Sequence, residues 1–145
     1  MKCKKRKKVG WIGCLFLILG SLFFIFPQYP LKEICPIHFF IIQTGSMLPE
    51  IEIGEMVVVK RKKDYQRGDI ITYQVHHSYF ITHRIIEKTE EGFYTKGDFN
   101  NTKDEEIITQ EEIQGKVILH SKLLGRLYQY RFVIIGILVV LLVIA

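Results

Sequence analysis

The chain has 145 residues and a formal net charge of +5, a balance that at first suggests nucleic acid or anionic lipid. Six of its 20 basic residues, Lys2, Lys4, Lys5, Arg6, Lys7 and Lys8, precede position 9, leaving 14 to face all 15 acidic residues. The rest of the chain is therefore near −1, and there is no general case for nucleic acid as a partner. Cys3, Cys14 and Cys35 fall in the basic tail, in an apolar segment and beyond it, which argues against an internal disulfide and leaves lipidation of Cys3 or Cys14 as the alternative use.

In chain order, the basic tail (1–8) is followed by an apolar run without a charge, residues 9–26. Its length is near the lower limit for a spanning helix. The basic cluster is expected to stay cytoplasmic and the following domain to lie outside. A cleaved secretory signal has the same charge pattern. However, the run is longer than an ordinary signal core, and Pro27-Gln28-Tyr29-Pro30 offers no small-x-small site. The reading is an uncleaved transmembrane anchor, with Trp11 and Tyr29 near its two interfaces.

Residues 27–131 are then expected to form one extracytoplasmic β domain. Residues 56–59 are a short β-forming run after Gly54, ended by the charged stretch 60–64, which reads as a solvated loop. Residues 70–75 alternate behind Gly68-Asp69. Residues 79–86 follow a turn at His76-His77-Ser78, Gly92 and Gly97 punctuate the next pieces, and 113–119 is a last strand. Short strands at this spacing predict a mainly β domain of sandwich or barrel-like form. The final apolar run, 132–145, spans roughly 21 Å as a helix at about 1.5 Å per residue, short of the roughly 30 Å hydrocarbon core. It is read as a second membrane segment, short or truncated, against a C-terminal core helix or strand.

Three groups of residues carry candidate chemistry. Gln43-Thr44-Gly45-Ser46-Met47-Leu48-Pro49 follows the very apolar stretch 38–42 and precedes a strand. Gly45 permits unusual backbone geometry and Pro49 stiffens the exit, so Ser46 can be held exposed rather than lie in an ordinary loop. Serine needs a base to act as a nucleophile at neutral pH. Of the five histidines, His83 is distinctive, because strand alternation puts it on one face with Tyr79, Ile81 and Ile85. A partly buried imidazole needs a partner for its second nitrogen, whether a backbone carbonyl or an acid. Asp98 and Asp104, in Lys96-Gly97-Asp98-Phe99-Asn100-Asn101-Thr102-Lys103-Asp104, are the acid candidates, although Gly, Asp and Asn are also ordinary turn residues.

In combination these segments resemble the signal peptidase I family, in the branch of the endoplasmic reticulum, archaea and Gram-positive sporulation-type enzymes. Thr44-Gly45-Ser46-Met47-Leu48-Pro49 resembles its nucleophile box and Gly68-Asp69-Ile70-Ile71 its following strand box. Thr82-His83-Arg84-Ile85 resembles the box that holds the base, and Lys96-Gly97-Asp98 with Asn100 and Asp104 the acidic box. The common bacterial branch uses lysine as base; histidine at position 83 selects the serine–histidine form. Where relatives often show Asp-Asn-Asn, this chain has Asp98-Phe99-Asn100.

The resemblance implies a membrane-bound serine endopeptidase that cleaves signal peptides from preproteins after small residues. Ser46 is then the nucleophile, His83 the base and Asp104 the acid that orients it. Asp98 is a second acid that holds the loop or shares that role. The Ser46 N–H and the Thr44 hydroxyl become the oxyanion donors. Preprotein signal peptides, the lipid bilayer and the secretion machinery are the implied partners, and the cell membrane the location. No metal constellation or phosphate-binding glycine loop is visible, so no cofactor is expected. Two other readings compete: a serine–lysine hydrolase with Lys60 or Lys96 as base, and a noncatalytic membrane-anchored binding domain.

Overall fold

A computed structural model of the chain describes residues 36–76 and 78–144. The basic tail, the apolar run 9–26, residues 27–35 with Tyr29, the three cysteines, Trp11 and His77 lie outside the described residues. The elements are β1 (Ile37–Ile41), a 3₁₀ turn (Gly45–Met47), β2 (Met56–Lys60), β3 (Ile70–Val75), β4 (Tyr79–Lys88), β5 (Phe93–Lys96), β6 (Ile113–Ser121), α1 (Lys122–Gln129) and α2 (Arg131–Ile144). The four expected strands are present, and β4 and β6 each run two residues longer than the sequence pattern suggested. Two strands had no clear signature. β1 lies in an apolar stretch without alternation, and β5 has only four residues.

The fold is mainly β, and all six strands pair antiparallel in one sheet of order β1-β2-β6-β3-β4-β5. This corrects the sandwich alternative: among the described residues the strands do not divide into two sheets. The sheet is nevertheless strongly coiled. Phe40 on β1 and Phe80 on β4 have ring centroids 4.9 Å apart, whereas four strand spacings on a flat sheet would separate them by about 19 Å. Register shifts in the β2–β6 and β3–β6 ladders contribute, since bulges sharpen the local twist. Gly115 sits at the second shift with φ 157°, where a Cβ would meet the backbone of Lys60 at 2.5 Å.

Burial explains why β3 reads so clearly. Ile71, Tyr73 and Val75 enter one cluster with Tyr65, Ile85, Phe93, Ile108 and Ile113. Ile70, on the other face, packs against a second cluster of Ile42, Met47, Ile51, Val57 and Val59. Both faces of the sheet are thus covered at its centre. Each fully buried aliphatic side chain there contributes about 1.5–3 kcal/mol of transfer free energy.

The compact β unit runs over Leu31–Arg126 and includes the start of α1. Gly125 permits that start to approach the chain at Gly54, because a Cβ would collide with the Gly54 carbonyl oxygen. Lys122 pairs with Glu52. The C-terminal unit begins at Leu127. There Arg131 lies over the Tyr128 ring at 4.0 Å and donates to the Tyr128 carbonyl at 2.8 Å. Its helix α2 starts one residue before the apolar run expected from sequence. Among the described residues no single helix is long and apolar enough to cross a membrane. The pair Lys122–Gln129 and Arg131–Leu141 passes by length and composition together, bent by 63°.

Candidate active site

The loop between β1 and β2 carries Ser46, and its neck is closed by backbone bonds. Ile42 N–H donates to the Glu55 carbonyl at 2.9 Å and Gly54 N–H to the Ile42 carbonyl at 2.8 Å. Met47 and Ile51 drive their side chains into the second apolar cluster, each almost wholly buried. Ser46, next to Met47 in the 3₁₀ turn, is left partly exposed. Two buried anchors therefore fix the segment that carries the partly exposed Ser46.

His83 lies on β4 opposite Ile71 of β3, on the face of the first cluster, as alternation predicted. The residue is buried, at 7% exposure. Its Nδ1 lies 2.7 Å from Asp104 Oδ2 and its Nε2 lies 3.1 Å from Ser46 Oγ. A carboxylate can only accept, so Nδ1 carries the proton and donates to Asp104. Nε2 is then the acceptor, and the Ser46 hydroxyl donates to it. The three groups form one hydrogen-bonded line of the type that activates a serine. Thr44 Oγ1 lies 3.4 Å from Ser46 Oγ, at the long limit of a hydrogen bond.

Asp104 has further partners that sequence reasoning missed. Its Oδ2 also accepts from Thr95 Oγ1 at 2.6 Å and from Tyr73 Oη at 3.2 Å. Asp104 N–H donates to the Thr95 carbonyl at 2.9 Å, which straps the loop to β5. Burial pushes the Tyr73 phenol well above the ordinary tyrosine range, with the Asp104 carboxylate adding to the effect, so Tyr73 remains a donor at neutral pH. The available signal was a threonine at position 95 in register with buried Phe93 on a four-residue strand, a place where an apolar side chain would ordinarily go.

The other acid candidate is engaged elsewhere. Asp98 receives a two-pronged bond from Arg84, Nε to Oδ1 at 2.8 Å and NH2 to Oδ2 at 2.6 Å. Arg84 NH1 also donates to the Gly68 carbonyl at 3.1 Å. The bonds to Asp98 raise the guanidinium further above its already high value, so it stays charged. Of the two roles left open for Asp98, holding the loop or sharing in the orientation of the base, its bonds to Arg84 match the first, while His83 Nδ1 meets Asp104. The physical reason is alternation: His83 and Arg84 are neighbours on β4 and point to opposite faces.

The Asp98 loop nonetheless touches the serine. Phe99 N–H donates to the Ser46 carbonyl at 2.9 Å, and Asn100 N–H to the Gly97 carbonyl at 3.0 Å. Lys96, one of the two alternative bases, donates through Nζ to the Asn100 carbonyl at 2.9 Å. Lys60 is an exposed residue at the end of β2. The nitrogen that meets Ser46 Oγ is that of His83. Asp69, in the strand box, is paired with Lys116 and accepts from Gln66 N–H at 3.2 Å, which ties the β3 entry to β6.

The model of the family described as Peptidase S24-like matches residues 27–118, a stretch that contains Ser46, His83, Asp98 and Asp104. The chain is also similar to Signal peptidase I W of Bacillus subtilis (strain 168), at 35% identity over 80 residues. That alignment covers 50% of this chain and 42% of the relative, so the chain spans less than half of that protein's length.

Proposed function

Because the chain belongs to the Peptidase S24-like family, a family of serine peptidases, we propose that it is a signal peptidase I, a serine endopeptidase that cleaves signal peptides from secreted preproteins after small residues. The observation that carries this reading is the line Ser46 Oγ, His83 Nε2, His83 Nδ1, Asp104 Oδ2, with bonds of 3.1 and 2.7 Å. The similarity to Signal peptidase I W supports the choice of substrate class.

In the proposed mechanism the Ser46 oxygen attacks the scissile carbonyl while His83 Nε2 takes its proton. Asp104 holds the imidazole in the tautomer this requires and stabilises the imidazolium. His83 then returns the proton to the leaving amine. Water, deprotonated by the same nitrogen, releases the acyl group from Ser46. The Ser46 N–H, assisted by the Thr44 hydroxyl, serves as oxyanion donor; loss of one such donor typically costs about 2.7–4 kcal/mol of transition-state stabilisation. Arg84 and Asp98 hold the loop that braces Ser46 and take no part in proton transfer.

The proposed setting is the extracytoplasmic side of the cell membrane. Residues 9–26 act as anchor, residues 27–131 as the catalytic domain and 132–145 as a second membrane segment. The exposed rings of Phe39, Tyr79 and Phe80 suit a domain that works close to lipid. Anchoring holds Ser46 at the height where a signal peptide leaves the bilayer, and the extended peptide adds as a strand with small side chains in shallow pockets. The preprotein, the bilayer and the secretion machinery are the partners on this reading.

The test is cleavage of a secretory precursor by the membrane-embedded full chain. Wild type should process it, and Ser46→Ala and His83→Ala should both lose processing by several orders of magnitude while remaining folded and inserted. Normal cleavage by His83→Ala would favour a lysine base, and normal cleavage by Ser46→Ala would reject the assignment.

A further inference from the structure

Tyr73, His83 and Thr95 come from three adjacent strands, β3, β4 and β5, and each points a donor at a single oxygen, Asp104 Oδ2, at 3.2, 2.7 and 2.6 Å. Tyr73 and Thr95 are essentially without solvent exposure, at 1% and 0%. A buried hydroxyl with no partner is costly. Around these two lie Ile71, Ile85, Phe93 and Ile113 of the apolar cluster, none of which offers a side-chain acceptor. The acceptor side chain that the two hydroxyls share is Asp104, and they also touch each other at 3.2 Å. The single Thr95 proton can serve only one of these neighbours, and the carboxylate is both nearer and charged.

We propose that Thr95 and Tyr73 are positioning residues that set Asp104, and through it the His83 imidazole, for proton transfer from Ser46. The proposal rests on the serine-peptidase reading above. Asp104 sits in a loop rather than on a strand, and a loop carboxylate can rotate away from the imidazole. The Thr95 carbonyl fixes its backbone and the two hydroxyls fix its Oδ2, so the carboxylate has one orientation before substrate arrives. Neither hydroxyl hydrogen-bonds to His83 or Ser46, so both act at one remove from the chemistry.

The test measures kcat and KM for precursor cleavage by the full chain in membranes. Thr95→Val keeps the shape and removes the donor, and should lower kcat about 10- to 100-fold, the worth of a hydrogen bond to a charged group, with KM within about twofold. Thr95→Ser restores the donor and should recover most of the rate. Tyr73→Phe, which removes the longer bond, should show the smaller loss. Equal impairment of Thr95→Ser and Thr95→Val would overturn the proposal, because shape rather than the donor would then matter, and so would a wild-type rate in Thr95→Val.

A second readout does not need turnover. In the Ser46→Ala background, adding Tyr73→Phe or Thr95→Val should shift the His83 Nδ1–H proton resonance; an unmoved resonance counts against the proposal. Retained cleavage by Ser46→Ala or His83→Ala would instead reject the underlying peptidase reading. With those two inactive and Thr95→Val fully active, the positioning role alone fails.

Discussion

Replacing Gly97 by alanine should disable the site without touching any of its reacting groups. A Cβ at position 97 would lie 2.6 Å from the Ser46 carbonyl oxygen and 2.8 Å from Asn100 Nδ2. Gly97 has no positive φ, so the demand is for space and not for backbone freedom. Reaching an ordinary contact of 3.4 Å requires about 0.8 Å of movement. Neither side yields readily. The serine loop is pinned by buried Met47 and Ile51, and the facing loop by the Arg84–Asp98 fork. Misplacing a reacting group by about 1 Å can cost on the order of 100-fold in rate. Gly97→Ala should therefore reduce kcat about 30- to 100-fold. Breaking the Phe99–Ser46 backbone bond should also remove about 1 kcal/mol of stability.

The assay is precursor cleavage per folded molecule, with folding followed by circular dichroism and thermal denaturation. Gly92→Ala is the control: its Cβ would lie 2.5 Å from the Ile108 carbonyl oxygen at φ 155°, in the turn between β4 and β5. It should lose stability and keep kcat. A folded Gly97→Ala protein with kcat within about twofold of wild type would refute the idea that this contact sets the position of Ser46.

Thr72 and Thr82 share a buried hydrogen bond of 2.8 Å across β3 and β4. Either Thr→Val change alone leaves one hydroxyl unpaired and should cost about 1–3 kcal/mol, while the double change should cost less than the sum, read from chemical denaturation of the paired variants. The Arg84–Asp98 pair should show a coupling of about 1–2 kcal/mol in an Arg84→Ala, Asp98→Asn double-mutant cycle, given its two-pronged geometry and partial burial. Because the Tyr73 phenol is raised in the folded state, its contribution is fully present below the ordinary value near 10 and is lost as pH climbs above it. Over that alkaline range stability should fall by an extra ~1.4 kcal/mol per pH unit, and Tyr73→Phe should flatten the slope in denaturation curves collected from pH 9 upward.

Much of this protein was legible as a linear pattern. β-forming runs bounded by glycine, aspartate and turn residues located β2, β3, β4 and β6, with period-two alternation in β3 and β4, because strand geometry sends successive side chains to opposite faces. The same alternation put His83 on the inward face, and the local context of Gly45 and Pro49 marked Ser46. Other features left no such mark. β1 is apolar apart from His38 and does not alternate, and β5 is too short for a period to emerge. The single coiled sheet depends on bulges at Val58/Val59 and Thr72/Tyr73, which depend on register between distant segments.

The choice of acid is where tertiary structure decided most. Asp98 and Asp104 lie six residues apart in one polar loop, and both can form a turn and both can orient an imidazole. Adjacent residues on β4 then sort them: Arg84, facing one way, draws Asp98 into a charged fork, while His83, facing the other, meets Asp104. Tyr73 was silent in sequence and Thr95 left only the mark of a polar residue in register with Phe93, since their partner is set only when β3, β4 and β5 stand side by side. Local chemistry can nominate a serine and a histidine; which carboxylate an imidazole meets, and what holds it there, depends on which strands the whole chain makes neighbours.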